Sequence, residues 1–204
     1  MQLYFTPRTI SIAVLIALEE AGLAYDALPI DFAKAEQTKP EFLKVNPKGR
    51  VPAVVTPEAT LTEAGALLEL VADLAPNAGL RPTDPIAIAK MREVMFYLAS
   101  TMHVNHAHKL RGHRWADQES SHRDMTAKVP ETMAQSCAYI SDHALLGPYV
   151  LGDVFSLADI YLYVVCTWLQ GDGVNLDDFP TIQSFMTTME ARETVQAAKA
   201  RGML

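Results

Sequence analysis

The apolar positions of the chain fall into short blocks over the first third and into long helical stripes over the rest. Leu3-Tyr4-Phe5 is a short run suited to a buried strand, and Pro7 ends it. A helical spacing starts near Ser11, carries Ile12, Leu15, Ile16 and Leu18, and is closed by Glu19-Glu20-Ala21-Gly22. Glycine adopts the left-handed C′ conformation without a Cβ clash, so Gly22 predicts the stop. Residues 25–30 predict a second strand. Strand, helix and strand in so short a span make a βαβ unit, which implies parallel strands and a right-handed crossover. Asn46-Pro47-Lys48-Gly49-Arg50 then reads as a turn feeding the β-rich run Val51-Pro52-Ala53-Val54-Val55. Thr60-Leu61-Thr62 follows at hairpin distance across a turn containing Pro57. Residues 63–74 predict a helix with Leu67, Leu70, Val71 and Leu74 on one face. The order βαβ, irregular segment, ββα describes a small mixed sheet with helices.

Pro76, Asn77, Gly79, Pro82 and Pro85 crowd the next stretch and predict a linker. Beyond it strand signals almost vanish. Helical patterns cover residues 86 to about 108, 119 to about 145 and 157 to 169, with shorter ones after Pro180. The expected division is a first domain over 1–77, a linker over 78–84 and an all-helical second domain over 85–204.

Composition narrows the function classes. The chain has 204 residues, enough for a real core, and a formal net charge of −7 from 24 acidic and 17 basic side chains. That balance, with no basic stripe, predicts no nucleic-acid partner. The first residues lack a basic segment leading into an apolar run, and no stretch approaches a membrane span, so no leader and no membrane association are expected. Cys137 and Cys166 sit inside apolar helical patterns; they predict buried, inert thiols and a reducing compartment.

Three local features carry chemistry. Proline inside a β run cannot donate to a ladder, so Val51-Pro52 marks either a strand start or a cis turn that leaves the Val51 backbone free to pair with an extended, peptide-like ligand. Glu63, where a strand hands over to a helix, is placed either to meet a ligand's ammonium group or to complement the helix dipole from the first turn. Ser156-Leu157-Ala158-Asp159 has the spacing of a capping box and predicts a structural device rather than a catalytic one. Among the histidines, His103 and His106 share a helical face, but no third ligand is in place and no metal is expected. Trp115, Tyr161 and Trp168 have the bulk to line an apolar pocket or to fill a core.

Taken in order, Leu3-Tyr4-Phe5-Thr6-Pro7, Ile16-Ala17-Leu18-Glu19-Glu20-Ala21-Gly22, Asn46-Pro47-Lys48-Gly49 with Val51-Pro52, Leu61-Thr62-Glu63 and Ser156-Leu157-Ala158-Asp159 resemble the cytosolic glutathione transferases, most closely the bacterial beta class. Each segment alone is weak; five in register across the whole chain are specific. The resemblance implies a thioredoxin-like α/β first domain with a cis bond before Pro52, followed by an all-α second domain. It also implies a cytoplasmic homodimer with one glutathione site per subunit, completed across the interface. In the family, the residue matching Val51 pairs through its backbone with the cysteinyl part of glutathione, and the acid matching Glu63 holds the γ-glutamyl end. The next position is often serine; here it is Ala64, which offers only its N–H, a loss of at most roughly 1.5–3 kcal/mol in binding. Lys48, with Arg50 in the same segment, is placed either to reach the glycyl carboxylate or to remain solvated.

The catalytic position departs from the beta-class pattern. Its cysteine is replaced by Ile10, so no mixed disulfide can form there, and Arg8 stands where some other classes carry serine. The hydroxyls left are Thr6, Thr9 and Ser11. A free thiol ionises near pH 8.5, and hydroxyl donors or a helix N-terminus stabilise the thiolate. Ser11 is therefore the expected donor, with Thr9 as alternative and Arg8 as nearby positive charge, unless Ser11 only caps the helix. His103 aligns with a histidine that lines the active site in beta-class enzymes. Arg8, Ile10, Arg111 and Trp168 are expected around the second substrate, although Arg111 with His108, Lys109 and Arg114 also reads as a solvated basic helix end. The implied function is conjugation of reduced glutathione, as co-substrate and with no other cofactor, to small hydrophobic electrophiles. Glutathione-dependent peroxide or disulfide reduction, and a non-catalytic binding module of the same fold, are the alternatives.

Overall fold

The run Gln2–Phe5 forms β1, the centre of a four-stranded sheet in a computed structural model that describes all 204 residues. Helix α1 (Ser11–Glu20) leads to β2 (Asp26–Pro29), which pairs with β1 in parallel, Leu3 against Ala27. A short helix, α2 (Pro40–Leu43), precedes β3 (Ala53–Val55) and β4 (Thr60–Thr62). Both pairings of β3 are antiparallel, with Leu3 opposite Val54 and Val54 opposite Leu61. The strand order is β2-β1-β3-β4. This is the mixed sheet the sequence predicts, with β2 shorter and largely exposed as an edge strand, where Pro29 costs no ladder bond.

Helix α1 is apolar on nearly every face, and residues 11–18 are all buried. It stops at a Schellman turn: the Gly22 N–H donates to Glu19 O and the Leu23 N–H to Leu18 O, with Gly22 at φ +64°. Ser11 is the first helical residue rather than its cap; Ile10 precedes it with no side-chain capping bond. Helix α3 spans Ala64–Leu74, so Glu63 lies before the first turn rather than in it, at φ 76° and ψ 118°.

Helices α4 (Pro85–Tyr97) and α5 (His103–Arg111) are one rod interrupted by a π-helical turn over Leu98–Met102. Helix α6 (Glu119–Tyr139) ends in a second π-helical turn over Ile140–Ala144. Helix α7 (Leu157–Cys166) is buried along its whole length. It starts at a complete capping box, in which the Asp159 side chain accepts from Ser156 N and Ser156 Oγ at 2.7 and 3.0 Å and from Val150 N at 2.7 Å. Helices α8 (Pro180–Glu190) and α9 (Glu193–Ala200) follow. No helix is long and apolar enough to cross a membrane.

The chain divides into two compact units, one made of residues 1–83 with 190–204 and the other of 84–189. The sequence reading places 190–204 with the helical half; the structure places it with the sheet. Arg192 forms a two-pronged ion pair with Glu20 at 2.8 and 2.7 Å, and the Thr194 hydroxyl adds a third bond to the same carboxylate. Arg201 grips Glu19 at 2.7 and 2.9 Å, and Tyr25 OH donates to Glu19 as well. Helix α9 is thus fastened to α1 by charge pairs that no apolar periodicity announces.

Candidate functional site

In the first unit, the loop from β1 into α1 is built from hydroxyls. The Thr6 N–H donates to Ser11 Oγ at 3.0 Å, and Ser11 Oγ lies 3.1 Å from Thr6 O, to which it donates. Thr9 Oγ1 donates to Thr6 O at 2.8 Å and lies 2.7 Å from Ser11 Oγ. Thr6 Oγ1 donates to Ile30 O, tying the loop to the end of β2. Ser11 is fully buried and Ile10 is buried, whereas Thr9 is half-buried and Arg8 is exposed. The Ser11 hydroxyl therefore already has a donor and an acceptor within the loop, and Thr9 is the more accessible hydroxyl at this helix start. Arg8 adopts φ 59°, and its N–H donates to Met203 O at 2.8 Å.

The peptide bond between Val51 and Pro52 is cis. The turn before it is fixed by Asn46, buried, whose Nδ2 donates to Arg50 O at 2.6 Å and whose Oδ1 accepts from Lys48 N at 3.1 Å. Gly49 is required here: it sits at φ +61°, and a Cβ would come within 3.0 Å of Gln37 O. Arg50 is exposed, Val51 half-buried and Pro52 buried. The Lys48 ammonium group donates to Thr62 Oγ1 at 2.7 Å and to Glu63 Oε1, so the two charges expected at opposite ends of glutathione are paired with each other. Both are exposed, and such a pair contributes little stability; a ligand can exchange with it cheaply. Ala64 opens α3 with its side chain buried. Of the three non-glycine residues at positive φ, Arg8 and Glu63 belong to this set. Backbone strain of this kind costs about 1–3 kcal/mol and gathers at functional sites.

In the helical unit, the His103 and His106 rings lie 6.3 Å apart and both face Trp168, at 5.0 and 4.3 Å, the His106 ring being stacked on the indole. His106 Nδ1 is 2.6 Å from Asp172 Oδ2. The Asp172 side chain is 1% exposed, and its other oxygen lies 3.5 Å from Lys109 Nζ, which also donates to Gly171 O. The basic end of α5 is thus partly committed to the turn after α7 rather than solvated. Arg111 is half-buried near that end, and Trp115 is exposed with its ring edge-on to His108. Gly173 shapes the turn: at φ +84° a Cβ would lie 3.1 Å from Pro130. No group of three or more His, Cys, Asp or Glu side chains is gathered so as to hold a metal ion. Cys137 and Cys166 are buried and unpaired; burial, then the neighbouring charge of Asp172, pushes the Cys137 thiol up to about 12, and burial takes Cys166 well above the ordinary thiol value. Both are protonated and inert at neutral pH.

Sequence reasoning missed Asp172. It stands in Gln170-Gly171-Asp172-Gly173, which reads as an exposed turn. The one available signal was the position of that turn just past an apolar helix containing Trp168.

Comparison with known proteins adds an independent finding. Residues 1–73 match the family model for the glutathione S-transferase N-terminal domain, and residues 98–193 match that for the C-terminal domain. The chain is 61% identical to a glutathione transferase homolog from Sulfitobacter solved with bound glutathione, with a TM-score of 0.98 and coverage of 100% of this chain and 98% of that one. It is 28% identical to glutathione S-transferase GstA of Escherichia coli O157:H7 over the full length of both. It is also 30% identical to a maleylacetoacetate isomerase of Pseudomonas aeruginosa, covering 90% of this chain and 88% of that one.

Proposed function

Because the chain belongs to the glutathione S-transferase family, we propose that it activates reduced glutathione as a thiolate and adds it to small hydrophobic electrophiles. The observation that carries this reading is the β1–α1 loop, where Thr9 stands half-buried at the start of α1 beside an exposed Arg8. A helix N-terminus and a hydroxyl donor both lower a thiol's pKa, and Arg8 adds positive charge. Thr9 and the first N–H groups of α1 face the sulfur in this reading, while Ser11 holds Thr9 in place. Val51, Glu63 and the Ala64 N–H bind the peptide-like body of glutathione, with Lys48 and Arg50 toward its glycyl end, beside Pro52. The candidates for contact with the second substrate are His103, Arg111 and Trp168 in the helical unit and Arg8 and Ile10 in the first. The protein works in the cytoplasm as a homodimer.

A second reading is favoured by one finding, the similarity to a maleylacetoacetate isomerase. In it the thiolate adds to a carbon–carbon double bond, a single bond rotates, and glutathione leaves unchanged. Loss of the beta-class cysteine at Ile10 suits either reading and counts against mixed-disulfide reduction.

Titration with reduced glutathione, following thiolate ultraviolet absorbance against pH with binding heat in parallel, tests both. Binding with a thiol pKa well below its free value is expected. Binding without ionisation would make the protein a glutathione carrier, and no binding would end the proposal.

A further inference from the structure

Residues 201–204 reach back to the loop on which the reading above depends. Helix α9 stops as α1 does, at a Schellman turn: Gly202, at φ +70°, donates to Lys199 O at 2.9 Å, and the Met203 N–H donates to Ala198 O at 3.0 Å. That turn reverses the backbone, and Met203 O then accepts from the Arg8 N–H at 2.8 Å. Arg201, just before the turn, is anchored on Glu19, and Arg192, at the other end of α9, on Glu20. Val195 and Ala198 are buried and α9 packs on α1, so the Met203 carbonyl is carried by a fixed support. All these residues belong to the first unit. Arg8 stands at φ 59°, where an L side chain crowds its own backbone. A non-glycine residue keeps such a conformation only where its surroundings over-determine it. The bonds of Thr9 and Ser11 close on Thr6, fixing the loop on either side of Arg8 and leaving Arg8 itself to Met203.

We infer that residues 201–204 form a strap that positions the glutathione loop, Met203 through its backbone carbonyl and Gly202 through the turn that aims it. This role rests on the thiolate reading above. Holding Arg8 left-handed does two things. It sets the direction in which the chain enters α1, hence where Thr9 Oγ1 and the first N–H groups of the helix point. It also sets where the Arg8 side chain leaves the backbone, hence where its guanidinium stands. These are the groups assigned to stabilise the negative charge on sulfur. Without Met203 O, Arg8 relaxes to φ below zero and all of them turn away together. The body of glutathione is held elsewhere, by Val51, Glu63 and the Ala64 N–H in the same reading. The strap therefore governs ionisation of the thiol more than binding of the peptide. Met203 and Gly202 are positioning residues, acting through Arg8.

Full-length wild type, Gly202→Ala and a variant lacking residues 203–204 are compared, each with and without Arg8→Gly. Each is titrated with reduced glutathione, following thiolate absorbance against pH and binding heat, and its urea midpoint is measured. A Cβ at position 202 meets no atom within 4 Å, so Gly202→Ala opposes the turn only through its φ and keeps the test open where the shorter chain does not fold. The expected result in both strap variants is about tenfold less thiolate at neutral pH, a rise of about one unit in the bound thiol's pKa, with glutathione affinity held within about threefold; this is the scale of one amide–carbonyl bond. Arg8→Gly alone raises the thiol pKa by removing a positive charge. Glycine takes the left-handed backbone freely, so in that background loss of the strap should change the pKa little. An unchanged pKa in the strap variants overturns the inference. So does an equal rise in both backgrounds, which would mean that the strap does not act through Arg8. A loss of affinity as large as the loss of ionisation, in step with a lower urea midpoint, would make the strap a purely structural brace and overturn it too. A wild type that binds glutathione without lowering its thiol pKa, or does not bind it, would instead overturn the thiolate reading, and this inference with it.

Discussion

The hydroxyl of Ser11 accepts from the Thr6 N–H and is within bonding distance of Thr6 O and Thr9 Oγ1, all inside one loop. Removing it strands a buried donor, which costs about 1–3 kcal/mol. Ser11→Ala should therefore lower the denaturant midpoint by that amount at constant m, while Thr9→Val should act mainly on thiolate formation. Glu63 illustrates the opposite economy. At φ 76° it pays a backbone cost for its place before α3. Glu63→Gly should gain about 1 kcal/mol in thermal unfolding and lose glutathione affinity in calorimetry; a gain in both would remove Glu63 from the site. Neither positive-φ residue was legible in the sequence, because Arg8 and Glu63 are not residues that advertise a left-handed backbone. Asp172 was hidden for a related reason, since glycines on both sides of an acid look like surface. The capping pair Ser156 and Asp159 was legible because its signal is local, a serine and an acid at fixed spacing before an apolar run.

That capping box shows how one element start titrates. Burial pushes the Asp159 carboxyl up to about 6, against the lowering effect of its bonds from the Val150 N–H and Ser156. A folded value above the unfolded one, near 3.9, means that the native state binds the proton more tightly. The contribution is then most favourable below the unfolded value and diminishes as pH rises through about 6. Wild type should lose on the order of 2–3 kcal/mol relative to Asp159→Asn between pH 4 and 7, measured by urea unfolding at each pH. A flat difference would mean that the bonds offset burial completely. The strands and helix starts of the first unit were legible because strand length, proline and glycine punctuate them locally. The π-helical turn over Leu98–Met102 was not. It shifts the rod by a fraction of a turn, which changes the face that His103 and His106 occupy without disturbing the apolar count that reveals a helix.

At the scale of the molecule, the notable feature is that the first unit is assembled from both ends of the described chain. Apolar periodicity identified α9 as a helix but could not name its partner, because Glu20, Arg192 and Thr194 supply the address. Burial raises the Glu20 carboxyl, but the bonds from Arg192 and Thr194 outweigh it and hold the group below its ordinary range. The sign is therefore reversed from Asp159: the contribution is complete above the unfolded value and is lost as pH falls through the folded one. Acid titration should loosen wild type more than Glu20→Gln, with amide exchange in α9 rising first; equal acid sensitivity would remove the ion pair from that role. There is also a consequence for synthesis. Arg192 lies 172 residues beyond Glu20, so at about 5–20 residues per second the ribosome makes Glu20 wait roughly 10–30 s for it. Limited proteolysis of stalled nascent chains reads this interval directly. Until then α1 packs on α3 and β1 but lacks the ion pairs of Glu19 and Glu20, so the first unit stays incomplete until α9 has been made.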